Sequence, residues 1–386
     1  MTMFEDGYFM NIAPSPAVGI GMGRLIVRLD GEKVLQTDAH IGFSHRGIEK
    51  CMEKVTPLQG LIYADKLNRS APFSCSYAFA RAVEKLSGIT VPERAAYVRV
   101  VLAETGRILS HLRATANLAA ETGTDMVYPL VNRACAGFDF FIGELCDGCP
   151  AGSYIRPGGI GKDISEKAVE KYLIWLTKGF PAILSEIEDL LTENRIFKSR
   201  TVGIGRTNAS FATASGFSGV NLRACGVKWD LRTAEPYDAY NKASFDIPVK
   251  TDGDCYARYL LRIFEIYQSV SIIRQLLKDL PSGDFILPDF TVGQTDTLSA
   301  LSRHFEQYGK GKPVPAGEIY TAVESPLGEF GVFLVSDGSE KPYRCHFRSA
   351  GFPVMQVLDA LTSQCDLADV RVIVASLNII TTETDR

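Results

Sequence analysis

Residues 11–29, NIAPSPAVGIGMGRLIVRL, decide which class of fold the sequence predicts. The stretch contains three alternating glycines, Gly19, Gly21 and Gly23. A dinucleotide-binding loop needs a strand before its glycines and a helix after them, because the helix N-terminus holds the pyrophosphate. Here the glycines lead into a segment of alternating polarity, and Arg24 stands where the third glycine of the fingerprint should be. The stretch therefore predicts a loop beside a strand and argues against a nucleotide enzyme.

The residues that follow extend this strand into a β-hairpin. Asp30-Gly31 is a strong two-residue turn signal, and a second extended run follows it. Further along the chain, apolar residues recur three and four positions apart, which is typical of amphipathic helices. Three long stretches have this pattern: residues 91–123, 162–194 and 256–281.

Local signals predict how these helices begin and bend. Asp163 and Glu166 have capping-box spacing, and Pro181 should kink or split the helix that they open. Asp252 and Asp254 in TDGDCY offer only two carboxylates, which is too few for a calcium site, so we expect them to cap the next helix.

The C-terminal part of the sequence has strand character. Residues 318–349 alternate in polarity and contain turn signals at Pro326–Gly328 and Asp337-Gly338, which predicts an antiparallel meander. The apolar end of the sequence predicts that it is buried. We therefore expect an α+β fold with a central bundle of long helices. Its regions are an N-terminal β-hairpin at 1–42, the bundle at 43–285 and a C-terminal α/β region at 286–386, within one compact unit.

Composition excludes several classes of function. The chain has 386 residues and a net charge of −4, which gives no electrostatic argument for binding nucleic acid. No apolar run approaches the roughly 18 residues of a membrane span. Nine scattered cysteines are typical of reduced thiols. Cys146 and Cys149 form one C-x-x-C pair, but zinc or an iron–sulfur cluster usually needs four ligands, so we expect no metal.

Several long blocks resemble one protein family, the forty-nine-kilodalton (D) subunit of respiratory complex I, the NADH:ubiquinone oxidoreductase. The resemblance extends over nearly the whole chain from about Asn11. The blocks are HIGFSHRGIEK, NRIFKSRTVGIG, GFSGVNLRACGVKWDLRTAEPYDAY, FDIPVKTDGDCYARYLLRIFEIYQS and SPLGEFGVFLVSDGSEKPYRCHFRSAGF. The family derives from the large subunit of nickel–iron hydrogenases. A hydrogenase itself would need two C-x-x-C pairs for nickel. The region of Lys66 to Ser70 and the tail ASLNIITTETDR contain no cysteine.

The resemblance implies a fold, partners and a location. It implies a helical bundle with terminal β-structure and no cofactor bound by this chain. Its neighbours would be a small subunit that carries a 4Fe–4S cluster, and a membrane subunit at the quinone channel. Ubiquinone would be reduced between this chain and the small subunit. The implied location is the matrix side of the mitochondrial inner membrane, or alternatively the cytoplasmic side of a bacterial plasma membrane.

The glycine loop is implied to line the quinone cavity. The family sequence there is N-F-G-P-Q-H-P-x-x-H-G, and its second histidine is the proposed ligand and proton donor to quinone. The two histidines align with Pro16 and Ile20, so the loop around Gly19, Ile20 and Gly21 brings no imidazole.

The resemblance also implies quinone-site residues further along the chain. The family motif Y-F-D-R-L-D-Y is here YADKLNR, which keeps Asp65, replaces the arginine by Lys66 and replaces the quinone-binding tyrosine by Arg69. A family aspartate thought to pair with the loop histidine aligns with Glu121, which as a residue type could equally be a helix-end carboxylate. If quinone binds here, Asp65 or Glu121 should balance the charge of Arg69.

Four residues are implied to lie beside the cluster of the small subunit. Arg46 and Arg156 match the family pattern, Lys66 replaces an arginine, and Ala151 replaces a histidine. Arg46 could otherwise be an ordinary solvated residue at a helix start.

Two functions remain open within the family. Arg69 can donate hydrogen bonds to a quinone oxygen and stabilise the anion of a reduced quinone, but guanidinium releases no proton, so water would have to deliver protons. In one reading the chain is a working core subunit, inactive alone, of the proton-translocating enzyme. In the alternative it is a structural or assembly member whose quinone chemistry is degenerate.

Overall fold

The computed structural model describes residues 2–4, 7–12, 23–146, 153–290 and 298–386. Four antiparallel strands form the N-terminal sheet in the order β1-β2-β3-β4: β1 (Thr2–Phe4), β2 (Gly7–Ile12), β3 (Arg24–Asp30) and β4 (Lys33–His40). The predicted hairpin is confirmed, but Asp30 pairs with Lys33. The turn is therefore Gly31-Glu32, one residue later than predicted, and Gly31 has φ 61°.

Twelve helices and a short two-stranded sheet precede residue 286 in the described chain. The sheet pairs β5 (Ile155–Arg156) with β6 (Gly159–Ile160). The helices are α1 (Ile48–Met52), α2 (Pro57–Asp65), α3 (Ser74–Ser87), α4 (Glu93–Glu121), α5 (Val127–Cys146), α6 (Glu166–Ile174), α7 (Phe180–Leu191), α8 (Arg195–Ser199), α9 (Ala209–Ala214), α10 (Gly219–Arg223), α11 (Leu231–Ala234) and α12 (Cys255–Lys278).

Helix α4 lies at the centre of the bundle. Its predicted helical character is confirmed, but it is buried on nearly every side, because α5, α12 and the later helix α16 (Leu367–Leu377) all pack against it. Polar residues of α4 such as Arg99 and Glu104 are therefore buried as completely as its leucines. Burying charges is costly unless each is paired, so partners for them must come from elsewhere in the fold.

The predicted break near Pro181 is confirmed as a π-helical segment. Residues Trp175–Gly179 form a π-helix between α6 and α7. A Cβ built on Gly179 or Gly137 would come within 2.4 Å or 2.3 Å of the Trp175 ring, so this indole needs a glycine on each side. The predicted cap is wrong: Ser165 caps α6 and accepts from Ala168 N, while Asp163 pairs with Arg94.

The predicted C-terminal meander is confirmed as an antiparallel sheet of β7 (Gly317–Ser325), β8 (Gly328–Ser336) and β9 (Arg344–Arg348). The remaining helices are α13 (Leu298–Phe305), α14 (Gly351–Gln356), α15 (Leu358–Thr362), the already named α16, and α17 (Thr381–Thr384). The predicted burial of the apolar end is also confirmed, since Glu383 is 1% exposed. The α+β class is thus confirmed, whereas the division of the chain at residues 42 and 285 stays a prediction. Within the described residues, no helix combines the length and apolar character that crossing a membrane requires.

Candidate functional site

The C-terminal end of α2 carries three of the candidate residues. Asp65 is the last residue of the helix, and its side chain is 14% exposed. Lys66 and Arg69 follow in the turn and are exposed. The Lys66 Nζ atom lies 3.9 Å from Asp65 Oδ2, close enough for attraction but too long for a hydrogen bond. The turn of residues 66–71, which we name the site turn, therefore presents cationic groups beside one carboxylate.

Arg46 joins this turn from the start of α1. Its guanidinium donates to the carbonyl of Lys66 over 3.0 Å and, more weakly, to that of Thr382 over 3.4 Å. Arg46 and Lys66, which the resemblance places beside one cluster, thus lie next to each other. Because two backbone carbonyls orient the side chain of Arg46, it is not simply a solvated residue that is free to move.

Arg113 was missed by sequence reasoning. This residue of α4 donates from Nη1 to the carbonyls of Arg69 and Ser70, over 3.4 Å in each case. Its contacts brace the site turn from the side of the bundle. The sequence does contain a signal for it. Arg113 is the one arginine in the otherwise uncharged run HLRATANLAA, and a lone charge in such a run suggests a specific partner.

Glu121 is the last residue of the same helix, and its partner is Arg371 of α16. Arg371 Nε is 2.9 Å from Glu121 Oε2, and the Glu121 side chain is 6% exposed. Burial raises the pKa of Glu121 above its ordinary value, and Arg371 acts in the opposite direction. Glu121 is thus paired with Arg371, and the expectation that Asp65 or Glu121 balances the charge of Arg69 stays a prediction. Among the described residues, no ion pair is found for the Arg69 guanidinium.

Arg156 lies in β5, where its side chain is held locally. Its Nε donates to the carbonyl of Ser153 over 2.7 Å, and its own carbonyl accepts from Arg99. None of its contacts with the described residues joins it to Arg46 or Lys66. The structure therefore does not bring the implied cluster-side arginines into direct contact.

Several predicted residues lie outside the described residues. They are Gly19, Ile20 and Gly21 of the glycine loop, Ala151, and Cys149 of the C-x-x-C pair. The backbone of Cys146 ends α5, but its side chain is not described. For these residues the implied roles stay predictions.

Residues 381–386, the tail segment, complete the surroundings of the site turn and were also missed. Thr382 Oγ1 donates to the carbonyl of Leu67 over 2.8 Å, and Asn68 Nδ2 donates to Glu383 Oε2 over 2.6 Å. The Asp385 carboxylate accepts the backbone N–H groups of residues 42 and 44, over 2.9 Å and 2.8 Å. The tail segment therefore ties the end of α2 to the segment that leads into α1.

A network of buried charges lies deeper in the bundle. It contains four carboxylates, three arginines and one histidine, all at most 4% exposed: Glu104, Arg107, His111, Arg223, Asp230, Arg232, Glu265 and Glu324. Glu104 accepts from Arg107 and Arg232, and from two hydroxyls over 2.6 Å each. Burial alone would raise the pKa of Glu104, but the charges of Arg107 and Arg232 and the two hydroxyl hydrogen bonds lower it below its ordinary value. The charges of the network therefore compensate one another inside the core.

Comparison with known proteins places this chain in a family. Residues 144–386 match the family model of the respiratory-chain NADH dehydrogenase 49 kDa subunit. The chain is 42% identical to the D subunit of NADH-quinone oxidoreductase from Acidiphilium cryptum, over 99% of this chain and 95% of that protein. It is 43% identical to the D subunit from Brucella anthropi, over 98% of both chains. It is 41% identical to that from Anaplasma phagocytophilum, over 100% of both.

These relatives cover nearly all of the sequence, so the similarity includes the site turn, α4 and the tail segment as well as the part that the family model matches. Their shared name describes one component of an oxidoreductase complex. The chain belongs to the 49 kDa (D) subunit family of the respiratory-chain NADH dehydrogenase, and it is a subunit of that oxidoreductase.

Proposed function

We propose that this chain forms, together with a cluster-bearing small subunit, the cavity in which electrons from NADH reduce quinone. The observation that carries the proposal is the site turn. It presents the exposed guanidinium of Arg69, which forms no ion pair with the described residues, next to Asp65, Lys66 and the anchored Arg46. Donors without an internal acceptor are available to a ligand oxygen.

The chemistry assigned to Arg69 is binding and charge stabilisation. Its N–H groups donate to a quinone carbonyl oxygen, and its fixed charge stabilises negative charge that develops on that oxygen during reduction. Arg69 does not release a proton, so protons reach the quinone from water or from a carboxyl group. Glu121 suits this role among the candidate residues, because burial raises its pKa, and the loop of Gly19, Ile20 and Gly21 would line the same cavity.

The proposed partners follow from the same site. The 4Fe–4S cluster of the small subunit would face Arg46, Lys66, Ala151 and Arg156, and a membrane subunit would lead quinone to the cavity. The complex would translocate protons. Of the two expected locations, the bacterial relatives favour the cytoplasmic side of a bacterial plasma membrane over the mitochondrial inner membrane.

The alternative is a structural member with degenerate quinone chemistry. One observation favours it: Glu121 is occupied by Arg371, so this carboxylate is not available to balance the charge of Arg69 in a buried cavity. In that case the site turn would contact a neighbouring subunit and no quinone.

Photoaffinity labelling tests the proposal against this alternative. An azidoquinone irradiated with the purified complex should modify a peptide that contains residues 65–70, and excess unlabelled quinone should suppress the adduct. Adducts confined to other subunits, or to distant parts of this chain, would contradict the proposal.

Substitution at Arg69 gives a kinetic test. Arg69→Lys should raise the KM for quinone about tenfold, because an ammonium group cannot reproduce the planar pair of donors. Arg69→Tyr restores the family residue without the family histidine and should also impair quinone reduction. The control is Arg133→Lys, since Arg133 is another exposed arginine, 2.8 Å from Glu186 on the surface of the bundle. Parental quinone kinetics in both Arg69 variants would support the assembly role instead.

A further inference from the structure

Asn68 is the buried polar residue of the site turn. It is 1% exposed, whereas the candidate residues Lys66 and Arg69 of the same turn are exposed. Its Oδ1 atom accepts from Ser70 N over 3.1 Å, from Ser70 Oγ over 2.8 Å and from Ala71 N over 3.1 Å. One amide oxygen thus holds three donors of the following residues and closes the turn on itself.

The Asn68 amide nitrogen points to a second buried group, Glu383 of the tail segment. The 2.6 Å hydrogen bond from Nδ2 to Glu383 Oε2 is shorter than an ordinary hydrogen bond from an amide and is typical of a charge-assisted one. The other carboxylate oxygen, Oε1, accepts from Ser349 Oγ over 3.1 Å and from Ala350 N over 3.2 Å. Both atoms of each side chain are therefore used, and neither can rotate without losing a buried bond.

Charged and titratable groups surround this pair on several elements. The thiol of Cys75 on α3 is close enough to Glu383 and Asp65 that both raise its pKa, in addition to burial. Burial raises the pKa of Glu383 itself, and Arg386 is a nearby cation that acts in the opposite direction. Glu383 and Asp65 thus both lie within electrostatic reach of the same buried thiol.

We infer that Asn68 and Glu383 are positioning residues for quinone reduction: their bond holds Asp65 and Arg69 at the distance and orientation that the quinone head group needs. The inference rests on the proposed function. Asn68 is the residue immediately before Arg69, and its side chain holds the backbone N–H groups of residues 70 and 71, so losing these bonds would release the backbone from which the guanidinium projects. A displacement of about 1 Å in a positioning group is enough to reduce a rate strongly.

Exchange of the two functional groups gives a specific test in the assembled complex. Asn68→Asp places a carboxylate 2.6 Å from Glu383 Oε2, and the two can bond only while they share a proton. Glu383→Gln keeps an acceptor for Ser349 but turns an amide donor towards the Asn68 donor. In the double variant the carboxylate of residue 68 accepts from the amide of residue 383, and the original bond is restored with its direction reversed.

The expected kinetics differ for each variant. Each single substitution should raise the KM for quinone about tenfold, and the double variant should return to within about threefold of the parental value. In Asn68→Asp the KM should be closest to parental at low pH and should rise with pH, because the shared proton is lost. Ser70→Ala, a milder change that removes only one bond to Asn68, should raise the KM about twofold to threefold.

The matched control is Asn221→Asp. Asn221 is a buried asparagine whose Nδ2 donates to the carbonyl of Leu377 over 3.2 Å and makes no described hydrogen bond to the site turn. It should reduce the stability of the subunit without changing the KM for quinone. If Asn221→Asp raised the KM as much as Asn68→Asp does, the effect would come from general destabilisation of the subunit, and the inference would be overturned.

Two further results would overturn it: failure of the double variant to recover, or a parental KM in Ser70→Ala and both single variants. Failure of the proposed function is distinguishable, because azidoquinone would then leave residues 65–70 of the parental complex unlabelled. If the label is found there and the KM values do not change, the quinone site stands and only the positioning role is lost.

Discussion

Protonation of His111 should make the stability of this subunit fall in mild acid. The ring is fully buried in α4, and its Nε2 atom lies 2.8 Å from Glu265 Oε2. The Nδ1 atom has no hydrogen-bond partner among the described residues. A second proton would therefore create a buried donor without an acceptor. Burial lowers the pKa of His111 to about 4, against the opposing influence of Glu265.

The sign and size of the effect follow from this pKa. A histidine whose pKa is lower in the folded state than in the unfolded chain takes up its proton first in the unfolded chain. Its contribution to stability is present above pH 6.5 and is lost as the pH falls towards 4. Between pH 7 and pH 5 the unfolded chain gains most of a proton that the folded chain does not bind. The free energy of unfolding should fall by about 2 kcal/mol over that interval.

The measurement is pulse proteolysis of the subunit in the purified complex, in urea at pH 7 and pH 5. The perturbation is His111→Gln, which keeps an N–H donor for Glu265 but does not titrate in this range. The parental subunit should lose about 2 kcal/mol between the two conditions, and the variant should lose much less. His346→Gln, at a histidine that is 43% exposed, should retain the parental difference. An equal loss in the parent and in His111→Gln would refute the assignment of this pH dependence to His111.

Substitutions at three other positions test contacts inside the folded bundle. Glu104→Gln should destabilise the subunit by about 3–5 kcal/mol in the same proteolysis assay, because it leaves buried arginines without their counter-charge. Asp254→Ala should lower the free energy of unfolding by about 2 kcal/mol or more, since it removes the N-cap of α12 and the acceptor of Gly203 N, whereas Asp254→Asn should cost less. Gly253→Ala should prevent assembly as judged by native gel electrophoresis, because its Cβ would lie 1.9 Å from the carbonyl oxygen of Thr207 at a residue with φ 66°; normal assembly of this variant would contradict so close an approach of the two backbone segments.

Local signals in the sequence predicted local features of the fold. The cap of α12 by Asp254 is confirmed, since its side chain accepts from Ala257 N. A cap needs only a short polar side chain and the next two or three amides, all of which are adjacent in sequence. The cap of α6 failed for a long-range reason. Asp163 is engaged by Arg94 of α4, and Ser165, two residues later, remains to accept the free amide.

The candidate site shows the same difference between local features, which the sequence predicts, and long-range contacts, which it does not. The resemblance supplied the candidate residues Asp65, Arg69 and Glu121, but not their partners. Glu121 pairs with Arg371, which is 250 positions away, and no spacing rule connects the two. The bond between Asn68 and Glu383 spans 315 positions. Such contacts depend on how α2, α16 and the tail segment pack, and single-sequence periodicity contains no information on that packing.

The buried charges are long-range contacts that also affect the position of a single helix. Replacing such a network by apolar residues often stabilises a protein, so its presence indicates specificity rather than stability. On α4, Glu104 and His111 face partners from α11 and α12, and a slip of α12 by one turn, about 5.4 Å, would separate His111 from Glu265. We infer that the network fixes the axial register of α4.

That register has a direct consequence for the candidate site. Arg113 lies two residues beyond His111 on the same helix, and its guanidinium reaches the carbonyls of the site turn only at the limit of hydrogen-bond distance, 3.4 Å. Because these hydrogen bonds are already at the distance limit, a small axial shift of α4 away from the site turn would break them. The apolar contacts of the helix would tolerate the same shift. The same shift would move Glu121 away from Arg371. By this inference the buried charges set the positions of Arg113 and Glu121 on α4, although none of these charges is a candidate site residue.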